Sequence, residues 1–522
     1  MTRTKWAALV SIALMLLGVA WAFASPRGSS ADEDFHLVNI WCAWGNSEYC
    51  TLQPERGTAV VPAALVESAC YARTLGDNTA GCLNSLGMQP FETSRITYDP
   101  LGYSLGFFKV MRSMAGTNLD LSVQVMRIFN VIVAGAFLTW ALLATNWSIS
   151  RALALSWGVA LIPVGIFFIA SVNPSSWTII GVGTFWAFLA SLLSTTPRTR
   201  GRTWSLIAGT LAAAVLALLA RTDSGIYLSL SVAAVVIWRW RYLVDHLPRK
   251  LFALISIIFV ALGAFVFWLQ IRRFVVLPFS FPGAQTSTDQ PVPALKTLLE
   301  VPSFFFALFG AQAPKSVLSD TLFDSGLDGY RPVGLAAGVG WTETQLPSIV
   351  GITIGAAAIA LIFLGLRRHN RSRPAAVFFL AIFFVVQIML MRAYFDFGTI
   401  VTIQPRYLFP AMLVLVGIAL SLHGGRRFLN RTQAVILGAA LTLAGSVAWL
   451  AVSTRYALGS DATFTNFGLQ PFWWWPVGPG RLLSVGIVTL LTFLWFFVTI
   501  YLTGTMKKDK SFRSQKILAD LE

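Results

Sequence analysis

Apolar runs of about twenty residues recur along this chain, separated by polar segments that are mostly short and in three places long. In helical form roughly 20 apolar residues cross a hydrocarbon core of about 30 Å, so each run predicts a membrane span. The first, Trp6 to Phe23, is followed by runs near 121–144, 151–171, 176–195, 203–220, 225–240, 250–270, 347–366, 374–391, 405–422, 432–452 and 482–503. The pattern predicts an all-α integral membrane protein of about twelve transmembrane helices. A cleaved signal peptide is the alternative for the first run, which ends in Ala22-Phe23-Ala24, but the run exceeds the ~7–15 apolar residues of such a peptide.

Composition agrees: 56% of residues are hydrophobic, 12% are charged, and the mean hydropathy is +0.68, which excludes a soluble domain. The net charge of +16 does not mark a nucleic-acid binder, because the basic residues form short clusters between spans rather than one stripe. Arg198, Arg200 and Arg202; Arg239, Arg241, Arg249 and Lys250; Arg367, Arg368, Arg371 and Arg373; and Arg426, Arg427 and Arg431 all fall on one side of a twelve-span topology. Arg3, Lys5 and the tail lysines Lys507, Lys508, Lys510 and Lys516 join them. The positive-inside rule then places both termini in the cytoplasm.

The chain divides accordingly into a first helix (1–24), a long outer segment (25–120), spans two to seven (121–270), a second outer segment (271–346), spans eight to twelve with an outer loop at 453–481 (347–503), and a tail (504–522). All four cysteines, Cys42, Cys50, Cys70 and Cys82, lie in the first outer segment. Outside the reducing cytoplasm they predict two disulfides; of three connectivities the sequential one, Cys42–Cys50 with Cys70–Cys82, is expected. A zinc site is the alternative, and the chain lacks a C-x-x-C pair. It also lacks a P-loop lysine motif, a G-x-G-x-x-G opening a helix and a G-x-S-x-G elbow, which argues against cytoplasmic nucleotide chemistry. No internal repeat emerges, unlike a transporter built from inverted repeats.

Just after the first span stand Asp32, Glu33, Asp34 and His36. Carboxylates at a membrane edge are costly to desolvate and point to a cation, a partner or a chemical task. The structural alternative is that the acids cap the next helix, where its dipole favours them. His36 follows Asp32 and Glu33 at i+4 and i+3, so these three form a candidate set for a divalent cation (Mg or Mn) or an acceptor; a hydrogen-bonded structural histidine is the alternative.

Four stretches resemble one group of bacterial multi-pass membrane proteins of uncharacterised function, related to GT-C-fold glycosyltransferases. They are Asp32-Glu33-Asp34-Phe35-His36, Tyr98-Asp99-Pro100-Leu101-Gly102-Tyr103, Trp341-Thr342-Glu343-Thr344 and Gln404-Pro405-Arg406-Tyr407-Leu408-Phe409-Pro410. Pro405 stands where glycine is common, and Tyr98-Asp99 replaces a more usual His-Pro. The resemblance implies a GT-C-like fold with juxtamembrane helices, a polyprenyl-phosphate sugar donor entering from the outer leaflet, and an extracytoplasmic glycan or lipid acceptor. It also implies that Asp32, the acid nearer the N-terminus, takes the acceptor's proton, while Glu33 orients the acceptor or a cation.

A departing polyprenyl phosphate needs cations around it, which suits the bidentate fork of arginine. Arg406, Arg392 and Arg221 lie at outer ends of spans, against the positive-inside pattern, and are the candidates; snorkelling, or pairing with Asp396 or Asp223, is the alternative. Asp99, with Tyr98 and Tyr103, is a second candidate for cation or acceptor binding. Trp473-Trp474-Trp475 reads as an aromatic belt, Asn173-Pro174-Ser175-Ser176-Trp177 as an outer turn, and Val301 to Phe309, too short to span, as an interfacial helix. The competing functions are a transporter or flippase for a lipid-linked saccharide, with polar residues continuing to the midplane, and a noncatalytic assembly subunit.

Overall fold

The computed structural model describes residues 1–72, 79–97, 105–194, 199–221, 223–246, 346–367, 373–397, 405–421, 428–459 and 480–506, together with Phe305, Phe306, Leu308, Phe309, Val339, Gly340, Thr344 and Trp474. Its helices are α1 (Arg3–Ala22), α2 (Glu33–Trp41), α3 (Ala63–Val66), α4 (Leu105–Arg112), α5 (Leu119–Ala144), α6 (Trp147–Ala160), α7 (Ile166–Ile169), α8 (Ser175–Leu192), α9 (Arg200–Ala220), α10 (Ser224–His246), α11 (Ser348–Arg367), α12 (Arg373–Phe397), α13 (Phe409–Leu420), α14 (Arg431–Leu458) and α15 (Arg481–Phe496). Among the described residues eight helical stretches are long and apolar enough to cross a membrane: α1, α5, α6 continued by α7, α8, α9, α11, α14, and Leu483–Thr505. The expected spans at 225–240, 374–391 and 405–422 coincide with α10, α12 and α13, whose apolar stretches are shorter. The expected span at 250–270 lies outside the described residues, as do most of 271–346, most of 453–481 and the tail from 507.

The stretch Ile149–Ile169 is buried throughout and forms the centre of the bundle, interrupted at Ile162, where φ −96° and ψ 137° leave the helical region just before Pro163. In lipid, helices associate through close packing of small residues rather than by a hydrophobic drive. The contact of α8 with α9 shows this: a Cβ on Gly181 would stand 2.5 Å from the Ala213 carbonyl oxygen, so only glycine permits that approach.

One end of the bundle is basic. Arg3 donates from Nε to Leu142 O at 3.0 Å, and Arg202 donates to Ala144 O at 2.8 Å and Thr145 O at 2.6 Å. Two of the clusters that orient the sequence therefore also satisfy the orphan carbonyls at the C-terminus of α5, where the helix dipole is negative. The N-termini of α1 and α9 meet there. With 21 residues, α9 rises about 31 Å, which carries its C-terminus to the opposite end.

That opposite end carries a subdomain built from residues 25–97. The sequential pairing holds: Cys42 bonds to Cys50 and Cys70 to Cys82. Contrary to the all-α expectation, it contains an antiparallel sheet of β1 (Thr51–Gln53), β2 (Thr58–Pro62) and β3 (Pro90–Thr93), ordered β1-β2-β3, with Val60 opposite both Thr51 and Glu92. Strands of three to five residues leave almost no alternating pattern to read. Tyr71 Oη donates to Arg27 O at 2.6 Å, and Arg27 pairs with Asp120 of α5 at 2.7 Å, which ties the subdomain to the bundle. The Tyr456 hydroxyl at the end of α14 donates to Ser29 O at 3.3 Å.

Two aromatic expectations change with burial. Trp474 is buried edge-on against Tyr456, with ring centroids 6.1 Å apart, instead of standing in a headgroup belt. Of the expected interfacial helix, Phe305, Leu308 and Phe309 are buried, and Phe305 packs on Phe383 of α12 at 6.3 Å. Trp474 and Phe305 thus pack on α14 and α12, a contact that a hydropathy pattern does not carry.

Candidate functional site at the subdomain end

The three neighbouring acids have three different fates. Glu33 is fully buried, and its carboxylate lies 3.2 Å from Arg127 Nη2 while accepting from the backbone N–H of Ser30 at 3.0 Å and of Val172 at 3.2 Å. Arg127, equally buried on α5, also donates to Ala22 O at 3.2 Å, Ser25 O at 2.7 Å, Pro26 O at 2.7 Å and Ser29 Oγ at 3.2 Å. It thereby satisfies the carbonyls that end α1, and Glu33 supplies the charge that Arg127 needs. Asp34 is buried in a bidentate pair with Arg95, at 2.8 and 3.0 Å.

Asp32 remains exposed. It stands at φ 59° and ψ 15°, the one non-glycine residue with positive φ among the described residues, and makes no side-chain cap bond although it holds the N-cap position of α2. Aspartate tolerates the left-handed region better than most residues, and such conformations collect where function holds them. The helix-cap reading of the cluster therefore fails for Asp32. Glu33, expected to orient an acceptor or a cation, has its oxygens committed to Arg127 and two N–H groups instead. His36 is buried with its ring against Phe35 and Phe108, both at 5.7 Å, so Asp32, Glu33 and His36 do not converge. Among the described residues no three His, Cys, Asp or Glu side chains form a metal site.

A narrow cleft, open to solvent, lies where α9 ends and α10 begins. Phe168, Ile179, Phe409 and Pro410 make its apolar part; Ser175, Thr178, Arg221, Asp223, Tyr227 and Tyr407 make its polar part. Arg221 Nε lies 3.0 and 3.2 Å from the two Asp223 oxygens, with Nη2 at 2.8 Å, so the pairing alternative holds for this arginine. Burial would lower the Arg221 pKa, but the Asp223 carboxylate outweighs it and holds the guanidinium charged. Nη1 is left facing Ser175 Oγ at 3.5 Å, and the guanidinium sits over the Tyr407 ring at 5.5 Å. The Tyr227 hydroxyl donates to Tyr407 O, fixing the 405–410 stretch against α10.

Residues 15–415 match the family described as predicted membrane protein (DUF2142). The chain belongs to that family. No curated protein and no solved structure matches it. The matched part of this DUF2142 protein includes both Asp32 and the cleft, and the structure connects them. Asn173, buried, donates from Nδ2 to Ala31 O at 2.8 Å, next to Asp32, and accepts from the Ser175 N–H at 2.9 Å, next to Arg221. The segment read as an outer turn is therefore the link between an unengaged acid and a cation-bearing cleft.

Arg127, Arg95 and Tyr227 were not singled out in the sequence, and Asn173 only as part of an outer turn. Arg127 was detectable as a lone charge early in the run 121–144, and Asn173 as an Asn-Pro turn; only packing reveals their partners. Arg406 lies in the 3-10 turn Pro405–Leu408 and Arg392 in α12, but their side chains fall outside the described residues. Tyr98, Asp99, Tyr103 and Trp341-Thr342-Glu343 also lie outside them. The approach to Tyr98 is held by Asn39, which donates to Arg95 O at 3.3 Å and accepts from Thr97 N–H at 2.9 Å.

Proposed function

We propose that this DUF2142 protein is a membrane glycosyltransferase of GT-C type that moves a sugar from a polyprenyl-phosphate donor to a glycan or lipid acceptor on the non-cytoplasmic side of a bacterial-type plasma membrane. The observation that carries the reading is that Asn173 holds both the Ala31 carbonyl, next to the unengaged Asp32, and the N–H of Ser175, whose hydroxyl faces Arg221 in the Arg221–Tyr407 cleft. A narrow cleft lined by both a guanidinium and apolar side chains is chemically complementary to an amphiphilic phosphate, and disulfides accord with the subdomain facing an oxidising compartment.

In this reading the acceptor hydroxyl gives its proton to Asp32 as its oxygen bonds to the anomeric carbon. The bond from that carbon to the phosphate oxygen breaks, and the electron pair leaves with the phosphate. Arg221, with Arg406 from the adjoining turn, stabilises the growing charge. Asp223 holds the fork of Arg221 so that Nη1 faces the phosphate, and Glu33 positions α2 rather than reacting. The transport reading needs polar groups continuing through the bundle, whereas the buried Arg127 and Arg151 are both committed to backbone carbonyls, Arg151 to Thr503 O at 2.9 Å.

The test is incubation of the purified full chain, in bilayer discs, with a panel of polyprenyl-phosphate sugars and envelope acceptors, following the released lipid phosphate. Transfer that disappears in Asp32→Asn while donor binding persists supports the proposal. Movement of intact donor across the bilayer, with no cleavage and no effect of Asp32→Asn, would support transport instead.

A further inference from the structure

The short helix α4 presents two unlike faces. Phe107, Phe108 and Met111 are buried; Phe107 packs edge-on against Trp177 at 5.1 Å, and Phe108 lies against His36. Lys109 and Val110 point outward. The position of α4 relative to hydrocarbon follows from its neighbours. Gly106 sits directly against Leu219, where an added Cβ would meet Leu219 Cδ2 at 2.7 Å. Leu218 and Leu219 are exposed on the last turn of α9, as are Leu121 and Val125 at the start of α5. Apolar side chains exposed on membrane-spanning helices face lipid tails, so the hydrocarbon boundary passes at the level of α4.

At that level stands a group that the proposed transfer reaction does not use. Trp44, the most exposed tryptophan of the described residues at 62%, lies beneath the Arg112 guanidinium, which is 5.4 Å from the ring centroid. Arg112 donates from Nη1 to Ala115 O at 3.1 Å and, among the described residues, forms no ion pair. Lys109, one turn away at i−3, has no acidic partner among them either. Tryptophan favours the headgroup layer, and two cations beside it are complementary to an anion there.

We propose that Trp44, Lys109 and Arg112 form a binding site for the headgroup of an anionic phospholipid in the leaflet on the subdomain side. Its phosphate lies between Lys109 and Arg112, the indole of Trp44 packs along the glycerol region, and the tails continue the lipid-facing surface of Leu218 and Leu219 on α9. The site is independent of the cleft at Arg221 and anchors the disulfide-bonded subdomain at a fixed depth.

The test places a benzophenone amino acid at Trp44 or Val110 of the full chain in discs of equal phosphatidylglycerol and phosphatidylcholine, with Leu121 as the lipid-facing control. Adducts are weighed by mass spectrometry after illumination. Positions 44 and 110 are expected to capture phosphatidylglycerol in excess, and position 121 to capture both lipids alike. Lys109→Gln and Arg112→Gln, in protein with both disulfides intact, each reduce the excess about fivefold, the effect expected for one basic residue at a charged membrane surface. Equal capture of the two lipids at 44 and 110, no lipid adduct there while 121 reacts, or an excess that survives loss of both charges would overturn the site.

Discussion

Glu33 and Asp32 are adjacent acids with opposite environments, and replacing each by its amide separates structure from chemistry. Glu33→Gln keeps volume but removes the charge facing Arg127, and its single carbonyl oxygen replaces a carboxylate that now serves Ser30 N–H, Val172 N–H and the guanidinium. The new amide NH2 meets donors on every side. Breaking a buried pair by removing one partner costs about 3–5 kcal/mol. Because Arg127 retains three carbonyls and the Ser29 hydroxyl, the low end applies, about 3 kcal/mol, a large part of the ~5–15 kcal/mol that holds a typical domain folded. Arg127→Met orphans the carboxylate and those carbonyls together and should cost more, about 4–5 kcal/mol. The double variant Glu33→Leu/Arg127→Met should cost less than the sum of its singles, because neither leaves a buried charge behind. Asp32→Asn, exposed and unbonded, should stay within about 0.5 kcal/mol of wild type. Dodecyl sulfate titration in mixed micelles, read by tryptophan fluorescence, ranks all four. Unfolding of Glu33→Gln at the wild-type midpoint, or a loss for Asp32→Asn as large as for Glu33→Gln, would refute the assignment.

Other expectations follow from the same geometry. Peptide mapping without reduction should recover the Cys42–Cys50 and Cys70–Cys82 linked pairs, and replacing either pair by serine should cost about 2–3 kcal/mol in the same titration; free thiols in protein from the native membrane would contradict the pairing. Gly181→Val should force α8 from α9 and cost about 2 kcal/mol, whereas Gly201→Ala, with nothing within 4 Å, should be neutral; equal midpoints for the two would show that the close approach is not real. For the donor site, Arg221→Ala and Arg406→Ala should each lower polyprenyl-phosphate affinity by about 1.5–3 kcal/mol, with lysine at either position losing part of that. Unchanged donor binding in folded Arg221→Ala would remove Arg221 from the phosphate site.

Membrane spans were legible because bilayer thickness imposes one length and one composition on every crossing helix, so Arg3–Ala22, Leu119–Ala144 and Ser348–Arg367 are visible as runs. Cysteine pairing was legible too, since four cysteines share one segment and closure over 8 and 12 residues is short. The sequence also marked Asp32, Arg221 and the 405–410 stretch as chemistry-bearing. It could not sort Asp32 from Glu33, because that depends on which carboxylate meets Arg127, 94 positions away in the chain. Nor could it show that Asn173 joins Ala31 to Ser175, or that Asp223 and Tyr407 close around Arg221. Local composition decides whether a segment can enter a membrane. Partners for buried polar groups are decided only when distant helices pack and every buried donor and acceptor must be satisfied at once.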